Sequence, residues 1–303
     1  MLVTQSIRTS ASWKDYLRRR ALRIYPAAVA GILICALIVG PLLTTLPLKD
    51  YFLHPEFYKF LAGIALFRVH YTLPGVLHYQ GQDLSPISSY WTISLELKLY
   101  LLLLLGWMVK IKHKRALVVI LVSLGLLYNL FFYYKPSLIF SRLIPINFNP
   151  FVYTAVAFLF LVGVACNIFQ KHIHVHQYWI FILVPLTILC IFFKLPILLT
   201  FLLMPAWVLY TGTHGQRWIK RLTPKPDLSY GIYIYGALVD RLVLYYFHPS
   251  SGWSNFFLTL AGVLPLAVFS WYMIEKPMLV YKKDRPVPSG PNRYPHPDPD
   301  TSG

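Results

Sequence analysis

The sequence has few charged residues and very few acidic ones. Only 13% of its 303 residues are charged, and 11 Asp and Glu stand against 28 Lys and Arg. Hydrophobic residues make up 57% and the mean hydropathy is +0.55, values that argue against a typical soluble domain. The 3 cysteines all lie in apolar runs, which argues against a disulfide framework or a zinc site.

Long apolar runs make up most of the sequence. A membrane-spanning helix needs about 20 mostly apolar residues. We predict eight crossings, near residues 27–47, 91–109, 116–134, 151–168, 178–193, 197–212, 228–247 and 256–273. The predicted fold class is therefore an all-α polytopic membrane protein. Its transmembrane domain covers residues 1–285, and a disordered, Pro-rich cytoplasmic tail covers residues 286–303.

Residues 51–70 are apolar but too short and too often interrupted for a simple crossing. Glu56, Lys59 and Arg68 break the run. If it crossed the membrane, the basic run at 110–115 would lie outside, against the usual enrichment of Lys and Arg in cytoplasmic loops. We therefore expect a re-entrant or interfacial segment here.

The formal net charge of +17 would suggest a nucleic-acid partner in a soluble protein. Here most Lys and Arg residues fall in segments that the eight crossings assign to one side, which the positive-inside rule identifies as cytoplasmic. We expect an integral membrane protein of the bacterial inner membrane, with both termini cytoplasmic. The lipid bilayer is the expected partner, and nucleic acid is not.

The stretch Ser88–Trp107 places an acid where hydrocarbon is expected. Glu96 lies near the start of a helix that is otherwise almost unbroken in its apolar character, and helical spacing puts Tyr100 on the same face. Lys98 points away from Glu96. Glu96 either reaches the nearer interface or faces a polar cavity inside a helical bundle. Asp240 and Arg241, in a later apolar run, likewise either lie close to the interface or line a cavity.

An arginine cluster precedes the first crossing. It consists of Arg18, Arg19, Arg20 and Arg23. Such a cluster holds the amino end in the cytoplasm, and guanidinium groups also suit phosphate recognition. His172, His174 and His176 alternate in a short loop, and a solvated loop is favoured over metal ligation, so no metal site is predicted.

Four segments together resemble the membrane-bound acyltransferase 3 family, which O-acylates sugars and other surface molecules. RRRALRIYPA at 18–27 resembles the family's arginine-rich start of a helix, with Arg20 and Arg23 in its R-x-x-R pattern. LPGV at 73–76 followed by SYWTISLE at 89–96 resembles a second family block. DLSYGIYIY at 227–235 and WYMIEKPML at 271–279, with Glu275 and Pro277, resemble two closing motifs. Their order along the chain makes the resemblance strong.

The resemblance implies an acyl-CoA donor on the cytoplasmic side and a hydroxyl acceptor, often on a glycan. Acetyl is the family's common acyl group. The arginine cluster would bind the CoA phosphates, helped by a basic loop. Glu96, Trp91 and Tyr230 would line the acceptor path, where Glu96 would orient a base or the acceptor hydroxyl. The members of the basic loop are Arg217, Lys220, Arg221 and Lys225.

The family usually has ten spans, and its first carries an Arg and a His taken to be catalytic. This sequence starts at what resembles the end of the second span, so one to two spans are expected to be absent, and none of the 10 histidines falls in a confident span. The chain is a truncated copy, has an assigned start that is too late, or is no longer a catalyst. We expect the complete product to be an O-acyltransferase and the 303-residue form to be inactive.

Two other functions fit the same residues. A carrier for an anionic or lipid-linked solute would use Glu96, Lys98, Asp240 and Arg241 as its pathway. A non-catalytic partner of a full-length homologue would keep the motifs without the reaction. The acceptor is expected to be selected by loops 70–90, 135–150 and 248–255.

Overall fold

The computed structural model describes residues 10–79, 82–109, 114–134, 150–169, 178–193 and 227–281, with Val3, Ser6, Ile7 and Leu203 besides. This part of the chain is mostly helical. Its α-helices are α1 (Trp13–Ile34), α2 (Gly40–Leu43), α3 (Leu48–Leu53), α4 (Pro55–Ala62), α5 (Tyr90–Met108), α6 (Lys114–Tyr134), α7 (Pro150–Ile168), α8 (Tyr178–Phe192), α9 (Ser229–Phe247), α10 (Gly252–Ser270) and α11 (Lys276–Val280). Strands β1 (His78–Tyr79) and β2 (Gln82–Asp83) form a short antiparallel hairpin.

Three of the described helical stretches are long and apolar enough to cross a membrane by length and composition. They are Trp13–Leu43, Tyr90–Met108 and Gly252–Val280. Helices also occupy the predicted crossings near 116–134, 151–168, 178–193 and 228–247. The predicted crossing near 197–212, the histidine loop, the basic loop at 217–225 and the tail at 286–303 lie outside the described residues.

Helix α1 begins at Trp13, well before the predicted start of the first crossing at Ala27. Ser12 caps it, because the Ser12 hydroxyl accepts a hydrogen bond from the Asp15 amide at 3.2 Å. The Asp15 carboxylate accepts one in return from the Ala11 amide at 3.2 Å. This capping arrangement starts the helix, and the following arginines are good helix formers, so the basic stretch becomes part of α1 rather than a loop.

A π-helical segment, Cys35–Val39, joins α1 to α2. The Gly40 amide donates to the Cys35 carbonyl, one residue further back than in an α-helix. The wider register leaves the Ala36 carbonyl facing Pro41, which has no N–H. The Tyr51 hydroxyl supplies the missing donor at 2.8 Å. A proline therefore ends the π-helical register, and a side chain from α3 satisfies the group it exposes.

A second π-helical segment that ends at a proline lies near the end of the described chain. Trp271–Glu275 is π-helical, and the Lys276 amide donates to the Trp271 carbonyl. The next carbonyl faces Pro277, which again lacks an N–H. The wider turn brings the buried Ser270 hydroxyl to the Glu275 carboxylate at 3.0 Å. Glu275 and Pro277, the predicted structural motif, thus mark the end of a π-helical segment.

Three tyrosines from three separate elements donate hydrogen bonds to carbonyls along α1 and its extension. Tyr230 of α9 donates to Ile24 at 2.7 Å, and Tyr90 of α5 donates to Ala28 at 3.1 Å. Tyr51 of α3 completes the row. Glycines make room for two of them, since a Cβ at Gly31 would lie 2.2 Å from the Tyr90 hydroxyl and one at Gly40 would lie 1.8 Å from that of Tyr51.

Helices α9 and α10 form a close antiparallel pair beside α1. A Cβ at Gly231 would lie 2.9 Å from the Ala267 Cα, so glycine is needed at this crossing. Asp240 pairs with its neighbour Arg241 at 3.5 Å and accepts a hydrogen bond from the Asn255 amide group of α10 at 2.7 Å. The Asp240–Arg241 pair, whose surroundings the sequence left open, therefore contacts the partner helix.

The segment between α2 and α5 folds back on itself and does not run straight through. Helices α3 and α4 are each far too short to span a bilayer. The Ala65 carbonyl accepts a hydrogen bond from the Tyr25 hydroxyl at 3.1 Å, and the Phe67 carbonyl accepts one from Ser94 at 2.9 Å. The tip of the segment thus contacts the middle of α1 and the first turns of α5.

The chain then returns to the end of α2. The Thr45 amide donates to the Gly75 carbonyl at 2.9 Å, and the Thr44 hydroxyl donates to the Pro74 carbonyl at 2.9 Å. Gly75 has φ of +67°, and a Cβ there would lie 2.8 Å from Thr45. Both features require glycine in the LPGV motif. The geometry excludes a single helix across residues 51–70, and a re-entrant or interfacial position of this segment in a membrane stays a prediction.

The contact of Tyr90 with Gly31 yields a stability prediction. Gly31→Ala should lower the unfolding temperature because its Cβ displaces the Tyr90 hydroxyl, at a cost of about 1–3 kcal/mol. Tyr90→Phe alone should cost about 1 kcal/mol for the lost hydrogen bond. The double variant should lose less stability than the sum of the two single variants, because removing the hydroxyl relieves the closest contact of the new methyl group and leaves only its approach to Ile234 Cγ2 at 3.1 Å.

The measurement is thermal unfolding of the purified protein in detergent. Gly106→Ala is the matched control, because nothing lies within 4 Å of its added Cβ, and it should leave the unfolding temperature unchanged or slightly raised. Strictly additive effects of the two substitutions would show that this close contact does not exist.

The re-entrant path yields a second prediction. In a variant without the three native cysteines, single cysteines placed at Leu48 and Pro86 should react with a membrane-impermeant maleimide from the same side of intact cells. A cysteine at Lys114 should react only after the membrane is permeabilised, because the predicted topology puts it on the other face. Labelling of Leu48 and Pro86 from opposite sides would contradict the path.

Candidate functional site

Glu96 lies half-buried on α5 and accepts a hydrogen bond from the Tyr100 hydroxyl one turn further on. Helical spacing predicts this pair. The Arg20 guanidinium of α1 lies over the Tyr100 ring, 5.6 Å from its centroid, close enough for a cation–π interaction. Tyr16, buried on α1, interacts electrostatically with both Arg20 and Glu96. Two adjacent helices thus bring a guanidinium, a phenol and a carboxylate together, and we call these three residues, Arg20, Tyr100 and Glu96, the central triad.

Arg20 keeps hydrogen-bonding capacity beyond the triad. One of its terminal nitrogens donates to the Ser6 hydroxyl at 2.9 Å. Its Nε is buried and has no hydrogen-bond partner among the described residues. A buried donor without a partner is costly, so this nitrogen marks a place where a ligand or a water molecule would be stabilising.

The other arginines of the cluster point in different directions, as expected for neighbouring positions of one helix. Arg18 donates to the Tyr281 carbonyl at 3.1 Å, just after α11. Arg19 pairs with Asp15 at 2.9 Å. Arg23 is exposed and lines a separate cavity. The four arginines therefore do not form one patch, although Arg20 and Arg23 lie one turn apart on the same face of α1.

The cavity beside Arg23 is small, about 60 Å³, and lies where α9, the second π-helical segment and α1 meet. Tyr230 and Glu275 line it together with Asp227. Tyr230 interacts electrostatically with Glu96, Glu275 and Arg23. The Tyr230 hydrogen bond to the Ile24 carbonyl and the shared cavity lining place the late SYGIY and EKP motifs next to the arginine-rich helix.

Trp91 lies away from the central triad. Its ring is 6.2 Å from that of Tyr153 on α7. Lys98, which is exposed, approaches the hydroxyl of the same tyrosine at 3.4 Å. The resemblance implies that Trp91 and Glu96 line one acceptor path, and that stays a prediction. Five residues along a helix turn the side chain by more than a third of a revolution, so the two side chains point to different sides of α5. Trp91 consequently faces α7, and Glu96 faces α1.

A second group of phenols, which the sequence did not indicate, surrounds the start of α5. The Tyr233 hydroxyl donates to the Ser89 carbonyl at 2.6 Å and is hydrogen-bonded to Thr92. Tyr71 interacts electrostatically with Tyr233. Burial, with a smaller contribution from Tyr153, raises the pKa of Tyr71 to about 12, so this phenol is protonated at neutral pH. Only tertiary packing brings residues 71, 153 and 233 together, so no local pattern could reveal the group.

The central triad suits the binding and orientation of a polar group. Its carboxylate accepts hydrogen bonds and its guanidinium donates them, in a setting that excludes much of the surrounding water. Within the described residues no group of three or more His, Cys, Asp or Glu could hold a metal ion. The described histidines lie outside the α-helices, so none of them sits on the same helices as the triad.

Comparison with known proteins places the chain near one curated relative. It is 26% identical over 310 residues to a protein named Nodulation protein 10 from Rhizobium leguminosarum bv. viciae. The alignment covers 92% of this chain and 78% of the relative. No family model matches the chain. No solved structure matches it.

The central triad yields a prediction about coupling. Tyr100→Phe keeps the ring beneath Arg20 but removes the hydrogen bond to Glu96, which should cost about 1.5–3 kcal/mol because the acceptor is charged. In a Glu96→Ala background the same substitution should cost much less. A double-mutant cycle by thermal or denaturant unfolding measures this coupling. Equal costs in the two backgrounds would show that the hydroxyl and the carboxylate do not interact.

Proposed function

We propose that the protein is a membrane acyltransferase that moves an acyl group, acetyl in its simplest form, from acyl-CoA to a hydroxyl of a cell-surface glycan or a related acceptor. In this reaction the hydroxyl oxygen forms a bond to the acyl carbon, the thioester C–S bond breaks, the hydroxyl proton passes to a base, and CoA leaves as the thiol. The proposed location is the bacterial inner membrane, with both termini in the cytoplasm.

One observation carries the proposal. Four segments far apart in the sequence resemble acyltransferase 3 motifs, and residues from all of them lie on or against α1. Arg20 and Arg23 belong to α1 itself, and the triad links Arg20 to Glu96 of the second motif. Tyr230 donates to the Ile24 carbonyl, and Glu275 shares a cavity with Arg23. The convergence of these four segments on one helix is the observation that supports a shared role.

The amino-terminal half of α1 supports a donor site for CoA. Coenzyme A carries several phosphate charges, and Arg20 and Arg23 offer guanidinium groups that no described acid holds in an ion pair. Guanidinium groups bind phosphate with two parallel hydrogen bonds. The free Nε of Arg20 adds a donor at the same place. We propose that these two arginines bind the donor, and that Arg18 and Arg19 chiefly support the fold.

The triad supports an acceptor site one helix away. Glu96 is held by Tyr100 and faces α1, so its carboxylate can accept a hydrogen bond from an acceptor hydroxyl or from a base that acts on it. Tyr230 lies within electrostatic range of Glu96. The relative's name associates it with nodulation, and a modified surface molecule is in keeping with that name. Trp91 is proposed to act from the neighbouring face, next to Tyr153.

A carrier finds less support. The charged residues that would form its pathway contact three different neighbours: Glu96 contacts Tyr100, Lys98 contacts Tyr153, and the Asp240–Arg241 pair contacts Asn255. A pathway needs such groups in one connected space.

The test measures donor binding and transfer separately. CoA and acetyl-CoA should raise the unfolding temperature of the purified chain, since a ligand at 100 times its Kd stabilises by about 2.7 kcal/mol. Arg20→Ala and Arg23→Ala should abolish the rise. Arg115→Ala, an exposed arginine at the start of α6, is the control and should retain it. Transfer is followed with labelled acetyl-CoA and an extract of surface glycans, and Glu96→Gln should reduce it strongly.

The outcomes separate the alternatives. Stabilisation by CoA that is lost in the two arginine variants, together with labelled product, supports the acyltransferase. Stabilisation without product supports the donor site in a chain that does not catalyse the transfer, either an inactive form of the enzyme or a non-catalytic partner. No stabilisation, or stabilisation that survives both arginine substitutions, would refute the proposed donor site and favour the carrier.

A further inference from the structure

A large cavity lies at the tip of the re-entrant segment, away from the central triad. Its volume is about 580 Å³, and it is lined by Lys59, Ala62, Ala65, Phe67, Arg68, Val69 and His70. This volume falls in the range of small-molecule sites in proteins, about 300–1,000 Å³. We call it the tip cavity. No motif described above includes its lining residues.

The tip cavity is lined by basic groups and by no acid. Lys59 and Arg68 are exposed and His70 is half-buried. Among the described residues no carboxylate forms an ion pair with Lys59 or Arg68. His70 lies 3.5 Å from the Thr72 hydroxyl. Like charges repel one another when they converge without a counter-charge, so an anion in the cavity would be stabilised by Lys59 and Arg68.

The backbone at the same place has unused donors. The Ala65 and Phe67 carbonyls are occupied by Tyr25 and Ser94, and the Leu66 amide bonds to Gly63. Within the described chain, the backbone amides of residues 67–70 donate no hydrogen bond to a backbone carbonyl or to a side chain. Free amides deep in a membrane protein are tolerated where they adjoin water or a ligand. Such amides next to basic side chains are a known arrangement for binding anions.

The tip is held in a fixed shape. Leu66 is fully buried, with φ of +60°, and the two side-chain hydrogen bonds from α1 and α5 fix the residues on either side of it. The next residue after His70 is Tyr71, which belongs to the phenol group at the start of α5. The exposed Phe67 ring lines the cavity itself, and an aromatic ring beside cationic groups suits a sugar ring that carries an acidic substituent.

We infer that the tip cavity binds the acidic group, carboxylate or phosphate, of an anionic glycan, with Lys59 and Arg68 as the principal ligands. The inference rests on the proposed function to the extent that it names the class of acceptor, a negatively charged saccharide. Binding itself requires no acyl transfer.

The test compares two disaccharides that differ only in charge. Cellobiouronic acid should bind to the purified protein in phosphatidylcholine nanodiscs, measured by calorimetry, and cellobiose should bind at least tenfold more weakly. Inorganic phosphate should compete with the acid. Arg68→Gln and Lys59→Gln should each weaken binding of the acid about tenfold, the usual effect of losing a charge-assisted hydrogen bond. Lys49→Gln is the control, because Lys49 is exposed on the same segment and does not line the cavity.

Equal binding of the two disaccharides, or an equal effect of Lys49→Gln and Arg68→Gln, would overturn the inference. Loss of acid binding when phosphatidylglycerol replaces phosphatidylcholine would also overturn it and would assign the cavity to a lipid phosphate. CoA stabilisation without acid binding would refute the tip cavity alone. Acid binding without CoA stabilisation would refute the acyltransferase and leave the tip cavity standing.

Discussion

The row of tyrosine hydroxyls on the carbonyls of the first helix is the interaction on which the rest of the described structure depends. Tyr230, Tyr90 and Tyr51 come from elements far apart in the sequence, and each reaches the same helix. In an apolar environment few water molecules compete for the carbonyl, so the hydrogen bond strongly favours one geometry. The row therefore fixes both the height and the rotation of three neighbouring elements relative to α1.

The placement of the candidate site follows from this row. With Tyr90 fixed against Ala28, the antiparallel course of α5 brings Tyr100 over Arg20, near the amino end of α1. With Tyr230 fixed against Ile24, the start of α9 lies beside Arg23 and Glu275. The hydrogen bonds that support the fold thus also determine which charged groups meet. This explains why residues that resemble one family's motifs lie on or against a single helix.

Several features could be predicted from the sequence, and their reasons are local. The apolar runs place the helices, the spacing of Glu96 and Tyr100 predicts their contact, and the interrupted run at 51–70 indicates a segment that does not cross. Other features could not be predicted. Trp91 and Glu96 are close in sequence yet face different helices, and the start of α1 at Trp13 depends on a capping arrangement rather than on hydropathy.

The sequence by itself determined that long apolar helices make up most of the described chain, because hydrophobicity acts on each segment alone. Only the tertiary structure decided that Arg20 meets Tyr100, that Tyr51 completes the hydrogen bonds of a π-helical segment, and that three basic residues converge on the tip of the re-entrant segment. Each of these contacts joins residues whose spacing in the sequence follows no helical or strand period. Their geometry exists only after close packing between helices has selected one arrangement.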